Sequence, residues 1–313
     1  VQPLQLSSGD VTADRRADYA RMLGEGGDFA AAAELMEQAL ELSPCWAAGW
    51  FQLGEYRLKA NDRDGAATAY RQVMALDPAD VFAASLKLAI IGAGEMPQQP
   101  PSRYVEALFD EYADRFETSL IEKLDYRVPK LLASMIFAHL GPQRNFSRVV
   151  DLGCGTGLMG VELAGNASAL EGFDLSSAML AKAAEKGIYS LLGEADLSCD
   201  ADSCGLFGER KRARADLVTA ADVLMYLGNL SGVFSLAREL LAPGGHFAFS
   251  VERHAGPQGF ALAHSLRYQH SRAYVEGCLG ENGFLPMASE ETVIRKDGGK
   301  PVSGMLFIAA RSS

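Results

Sequence analysis

Val149-Val150-Asp151-Leu152-Gly153-Cys154-Gly155-Thr156-Gly157 runs an apolar strand into alternating glycines and then a helical pattern over Leu158 to Leu163. Glycine allows backbone N–H groups to turn inward and approach a ligand with no Cβ in the way. The stretch therefore predicts a strand–turn–helix unit that opens an α/β domain and cradles a nucleotide-like cofactor. Its spacing is GxGxG, and no Gly-Lys-Ser/Thr follows, so it meets neither the dinucleotide fingerprint nor the P-loop. A plain structural turn is the other reading of the same glycines.

The surrounding pattern decides the fold class. Strands are predicted at Arg148 to Leu152, Ala169 to Phe173, Tyr189 to Leu192, Leu217 to Ala220 and His246 to Val251. Helices are predicted between them at Leu158 to Leu163, Ser177 to Glu185 and Leu230 to Leu241, and a further one runs from an N-capping Ser271 to Cys278. Such alternation means a parallel sheet with helical crossovers. At the end, Leu285 to Ile294 and Val302 to Ala310 flank Lys296-Asp297-Gly298-Gly299-Lys300-Pro301, which predicts an antiparallel hairpin.

Acidic residues stand where such a sheet presents them to a ligand. Asp174 in Gly172-Phe173-Asp174-Leu175 ends the second strand, 23 residues after Asp151, the position of a ribose acceptor in Rossmann-like folds. It can also cap the following helix, a task open to Ser176 or Ser177. Asp196 follows the third strand and is placed to accept from an adenine amino group.

Together these residues resemble the class I S-adenosylmethionine (SAM) dependent methyltransferases, in which segments like DLGCGTG, GFDLS and LAPGGHF occur in this order. The resemblance covers roughly Tyr104 to Arg311 and is most specific at the first two segments. It implies a Rossmann-like, mostly parallel sheet of seven strands with an antiparallel last strand, SAM as cofactor and S-adenosylhomocysteine as product. Carried over, Asp151, Gly153 and Gly155 flank the methionine part, with Cys154 and Gly157 completing the turn, and Asp174 holds the ribose hydroxyls. Leu175 and Met179 pack near the adenine, Asp196 faces its amino edge, and Ala221 with Asp222 line the floor after the fourth strand. Phe109, Asp110, Ala113 and Phe116 resemble the FDxxAxxF lead-in of small-molecule methyltransferases, which implies that Tyr112 and Arg115 reach the SAM carboxylate. A helix with this spacing also serves as core packing with solvated charges.

A sulfonium methyl is already activated, so such an enzyme mainly aligns the reacting atoms and excludes water. An acceptor that carries a proton is helped by one general base, and histidine has the suitable range. His246, His254, His264 and His270 follow the fourth strand, and the hypothesis from sequence is that His264 or His270 is the base. Arg267 to Ser271 also reads as the solvated, capped start of a helix. The chain reads Thr219-Ala220-Ala221-Asp222 where amino-group methyltransferases carry an Asn/Asp-Pro-Pro-Tyr signature, which favours a small-molecule acceptor over a nucleobase or protein glutamine. The alternative is a non-catalytic SAM-binding or scaffolding protein, since fold does not guarantee activity.

The first ninety residues repeat. Ser43-Pro44 and Asp77-Pro78 close helical patterns 34 positions apart, the tetratricopeptide period. Trp50, Leu53, Gly54, Ala66 and Tyr70 occupy the repeat's signature places, with Arg16, Tyr19, Ala20, Ala32 and Met36 as weaker counterparts. Val81 to Ile91 supplies one further helix, for about two and a half repeats. A peptide-binding groove and a packing or dimerisation module both fit. The expected layout is a repeat domain over 1–95, a Pro- and Gln-rich linker over 96–102 and a methyltransferase domain over 103–313, with 103–145 as a helical lid.

The 40 acidic and 29 basic residues argue against a large nucleic-acid footprint. Five cysteines without CxxC spacing support neither a disulfide framework nor a zinc site, and no His and carboxylate cluster has metal-ligand spacing. No apolar run of about 18 residues and no signal pattern is present, so the expected setting is cytoplasmic, with no membrane span.

Overall fold

The computed structural model describes residues 7–113 and 126–312. The chain divides into two compact units, Val1–Tyr104 and Val105–Ser313.

The described residues of the first unit form helices α1 (Val11–Glu25), α2 (Phe29–Leu42), α3 (Ala47–Lys59), α4 (Arg63–Leu76) and α5 (Ala84–Ile90). Asp10, Asp28 and Asp62 cap α1, α2 and α4 by accepting from backbone N–H groups of the first turn, which satisfies donors that a helix leaves orphaned. The ranges of α2 and α4 are offset by 34 positions. Gly54 lets the Tyr70 ring lie against α3, since a Cβ there would sit 2.5 Å from the ring edge. Gly54→Val is therefore expected to destabilise this unit by about 1–3 kcal/mol through overpacking, read as a lower first thermal transition of the full chain; an unshifted transition would contradict the packing. The last helix starts later than the predicted Val81 because Asp80 and Ala83 adopt left-handed backbone, with φ of 50° and 55°. The buried Asp80 carboxylate instead receives the N–H groups of Ala84 and Ser85.

The second unit comprises helices α6 (Ser102–Tyr112, which begins at the boundary), α7 (Val128–Leu140), α8 (Leu158–Leu163), α9 (Ser177–Glu185), α10 (Ser231–Leu240) and α11 (Arg272–Glu281) around one sheet. Its strands are β1 (Val149–Leu152), β2 (Leu170–Asp174), β3 (Leu191–Glu194), β4 (Ala215–Ala220), β5 (Leu241–Arg253), β6 (Phe260–Leu262), β7 (Tyr268–His270), β8 (Phe284–Asp297) and β9 (Lys300–Arg311). The run β3-β2-β1-β4-β5 is parallel throughout. The last strand, β9, is antiparallel to both β5 and β8. The order of strands reverses beside β1, which opens a crevice beyond the carboxyl ends of β1 and β4.

The described sheet has nine strands rather than the expected seven. The difference is the short hairpin β6–β7, which pairs with the end of β5 through Glu252↔Gln269 and Arg253↔His270. Residues 267–271, read from sequence as a solvated helix start, thus contain a strand, and Tyr268 and His270 both point into the core. The expected N-cap is in place: Ser271 accepts from the Tyr274 N–H. Phe234, Phe247, Phe249 and Phe307 form an aromatic stack on one face of the sheet, with centroids 4.6 to 5.5 Å apart along the chain of contacts. On the other face α7 lays Leu132, Met135 and Ile136 against Leu217, Ala248 and Ile308. Among the described residues no helix is long and apolar enough to cross a membrane.

Candidate cofactor and methyl-transfer site

The four residues of β1 are buried, and three glycines then take left-handed backbone in turn: Gly153, Gly155 and Gly157, with φ of 62°, 53° and 93°. An L side chain rarely adopts this region, so the turn depends on glycine at these places. Cys154 is buried and its N–H donates to Phe173 O at 3.0 Å, which ties the turn to β2.

Asp174, at the end of β2, closes the turn. Its Oδ2 accepts the Gly155 N–H at 2.8 Å and its Oδ1 the Ser176 N–H at 2.9 Å. Burial pushes this carboxyl up, and the hydrogen bonds from Ser176 and Gly155 pull it back. Each oxygen keeps acceptor capacity for a further donor. Leu175 beside it is half-buried, whereas Met179 is fully covered in the first turn of α9. Asp196, after β3, is half-buried and accepts from Ser198 N and Oγ at 2.9 and 2.6 Å.

Asp151, near the end of β1, is held from two sides. It is 0% exposed, with Oδ1 accepting from Thr219 Oγ1 at 2.8 Å and Oδ2 from the Tyr189 hydroxyl at 2.9 Å. It fastens β1 to β4 and to the residue chain entering β3, beneath the cleft. Burial pushes its carboxyl up to about 6, against hydrogen bonds that lower it. A carboxyl raised above its unfolded value binds its proton more tightly in the folded state, so its contribution to stability is complete below about pH 4 and is lost as pH rises through about 6. Asp151→Asn is expected to gain stability relative to the wild type between pH 5 and 7.5, on the order of 1–3 kcal/mol, in urea titrations at both values; a pH-independent difference would contradict a buried, titrating Asp151.

The corner after β4 forms the other wall. Ala221 is half-buried, and Asp222 has a left-handed backbone, φ 57°, with its N–H donating to Ser250 Oγ at 2.8 Å. Its carboxylate accepts from Arg295 at 2.6 and 2.7 Å. Arg295 also bonds Glu252, which accepts from Arg267 Nε at 2.8 Å. Arg295, Glu252, Thr219 and Tyr189 were not singled out from sequence. No local signal marks Arg295, which is followed by Lys296 and Asp297 at the end of β8.

Helix α6 meets both rims. Asp110 accepts from Ser176 Oγ at 2.6 Å on the β2 side, and the Phe109 ring meets Tyr226 edge-on at 5.2 Å on the β4 side. Tyr112 is half-buried on the same helix. Arg115 and Phe116 lie outside the described residues.

The histidines separate clearly. His270 is 0% exposed, with Nε2 shared between the carbonyls of Leu227 and Gly228 at 2.9 and 3.0 Å, and its ring stacks on Tyr274. Burial lowers it to about 4, partly opposed by those carbonyls. The neutral ring, donating through Nε2 to the main chain, pins the loop after β4, and its Nδ1 is buried without a hydrogen-bond partner. His264 is exposed in the β6–β7 turn, and His254 lies 3.2 Å from Gln258. His246 sits at the amino end of the sheet, beside Leu217.

A glycine turn gathered onto a carboxylate at the crevice of this sheet, with an antiparallel final strand, defines the SAM-dependent methyltransferase class of domain. The methyltransferase domain family matches residues 120–291, over half of the chain, and the chain belongs to that family. A ubiquinone biosynthesis O-methyltransferase of Burkholderia vietnamiensis (strain G4 / LMG 22486) is 31% identical over 114 residues, 36% of this chain and 46% of that protein. The chain thus spans about half the length of the curated relatives it matches. Magnesium protoporphyrin IX methyltransferase from Synechocystis PCC 6803, solved with bound S-adenosylhomocysteine, superposes with a TM-score of 0.51 at 21% identity, over 67% of this chain and 99% of that one. A 1,6-didemethyltoxoflavin-N1-methyltransferase of Burkholderia thailandensis gives 0.51 at 18% identity, over 70% and 93%. At these identities the likeness is one of fold.

The cofactor of this class is SAM, and the residues here fit it. Thr156, in the glycine turn, is 2% exposed and its Oγ1 has no hydrogen-bond partner, an orphaned polar atom at the place where a ligand's polar groups are expected. Among the described residues no group of three or more His, Cys, Asp or Glu is placed to hold a metal ion.

Proposed function

We propose that this chain transfers the methyl group of S-adenosylmethionine to a small-molecule acceptor, with helices α1–α5 acting as tetratricopeptide-type repeats that dock a protein partner or mediate assembly. The observation that carries the reading is the Asp174 carboxylate, held by the Gly155 and Ser176 N–H groups at the mouth of the glycine turn. Bound SAM supplies an activated methyl group, so the chain's own residues bind, orient and exclude water. In this assignment Asp174 accepts from the ribose hydroxyls. Gly153, Cys154, Gly155 and Gly157 offer backbone to the methionine part, and Asp196, Leu175 and Met179 serve the adenine. Ala221 and Asp222 line the floor, and Tyr112 closes over the carboxylate, whereas Arg115, implied there by the same resemblance, lies outside the described residues. Asp151 organises the turn from below.

A small acceptor is supported by the ubiquinone, protoporphyrin and toxoflavin chemistry in the names of the relatives, and by Thr219-Ala220-Ala221-Asp222 in place of an amino-methylating signature. The repeat reading is supported by the 34-residue offset of α2 and α4, and the linker at 96–102 by its prolines. Five unpaired cysteines support a cytoplasmic setting. His264, exposed in the β6–β7 turn, and His270, whose Nδ1 is buried without a hydrogen-bond partner, are the candidate bases. His264→Ala is expected to lower methyl transfer by roughly 10²–10⁴-fold, and unchanged turnover would remove it from the mechanism.

The test is incubation of the full chain with methyl-labelled SAM and a cell extract separated by size. Label in the low-mass fraction is the expected outcome. Label confined to macromolecules would replace the small acceptor by a protein or nucleic acid, and label in neither would favour the non-catalytic scaffold.

A further inference from the structure

Charge buried at the carboxyl end of the sheet is concentrated on Arg295. Its side chain is 4% exposed near the end of β8, and it joins Asp222, after β4, to Glu252, at the end of β5. Arg267 backs Glu252 from the other side and also pairs with Asp297. Replacing such a buried ion cluster by well-packed apolar residues is often neutral or stabilising, so the cluster is poorly explained as a stability device. Its geometry gives a more specific account. Asp222 is held in a left-handed backbone, φ 57°, that non-glycine residues seldom adopt. The next residue, Val223, packs where a Cβ at Gly153 would stand. The corner and the glycine turn therefore pack directly against each other, and Arg295 is the group that grips the corner's side chain.

We propose that Arg295 is a positioning residue of the cofactor cleft: by holding the Asp222 carboxylate against Glu252 it sets the Ala221–Asp222 corner against the glycine turn, so that the floor is shaped before SAM binds. The proposal rests on the cofactor reading above. It assigns Arg295 no contact with reacting atoms and acts through preorganisation of the floor.

A built-in control exists at the opposite end of the sheet. Glu171, near the start of β2, is a second buried carboxylate held by two arginines, Arg148 and Arg214, with Arg214 Nε at 2.9 Å. S-adenosylhomocysteine is titrated calorimetrically into the full-length wild type, Arg295→Met, Arg295→Lys and Arg214→Met, with melting temperatures recorded for each. Arg295→Met is expected to weaken binding at least about 10-fold and Arg295→Lys about threefold, whereas Arg214→Met lowers the melting temperature with affinity within about twofold of wild type. If Arg295→Met does not fold, Arg295→Lys carries the test. Wild-type affinity in the folded Arg295 variants, or equal losses for Arg295→Met and Arg214→Met, would reduce Arg295 to a structural ion pair and overturn the proposal. Absence of binding by the wild type would overturn the cofactor reading itself.

Discussion

Asp174→Ala is expected to weaken binding of S-adenosylhomocysteine by about 2–4 kcal/mol, roughly 30- to 1000-fold. Two losses combine. A charged acceptor for two ligand hydroxyls disappears, and hydrogen bonds to a charged group are worth about 1.5–3 kcal/mol each. The N–H groups of Gly155 and Ser176, now bonded to the two carboxylate oxygens, also lose their acceptor, so the turn loses the anchor that shapes it. Asp174→Asn retains one oxygen for one of those donors and is expected to fall between the alanine variant and wild type. Calorimetric titration of the three proteins checks the order. Equal affinities would contradict the assignment of Asp174 to the cofactor.

Gly153→Val is expected to abolish measurable cofactor binding and to cost about 2–5 kcal/mol of stability. The first part of that cost is backbone. Gly153 has a φ of 62°, a region that disfavours a β-branched residue by about 1–2 kcal/mol or more. The second part is steric: any Cβ at this position would overlap the Val223 side chain, and overpacking costs typically 1–3 kcal/mol. Relief requires the corner after β4 to retreat, which breaks the floor that Arg295 holds. Urea titration measures the stability loss, and a midpoint equal to that of wild type would contradict this account of the turn.

These two residues also mark what is legible from the chain alone. Gly153 and Asp174 belong to short segments in which an apolar strand delivers a functional residue at its end, and the local pattern carries both the strand and the residue. Ser271, as the cap of α11, is legible for the same reason, since its bond to the Tyr274 N–H spans three positions. The Arg295 cluster is not. Arg295 is 73 positions from Asp222 and 43 from Glu252, and only the sheet order brings the ends of β4, β5 and β8 together. Asp151 is the complementary case. Its place at the end of an apolar strand suggested contact with a ligand, but Thr219, 68 positions on, and Tyr189, 38 positions on, occupy its oxygens. Arg267, Gln269 and Ser271 around His270 give the stretch a polar, solvated character in sequence. The period-two burial of Tyr268 and His270 was present in the sequence, yet a strand of three residues is too short for alternation to stand out.

The direct test of the central claim is calorimetric titration of S-adenosylhomocysteine into the unmodified full chain. Saturable binding to one site per chain is expected. No saturable heat with either S-adenosylhomocysteine or S-adenosylmethionine would contradict it, and would leave the glycine turn and its carboxylate as a structural joint.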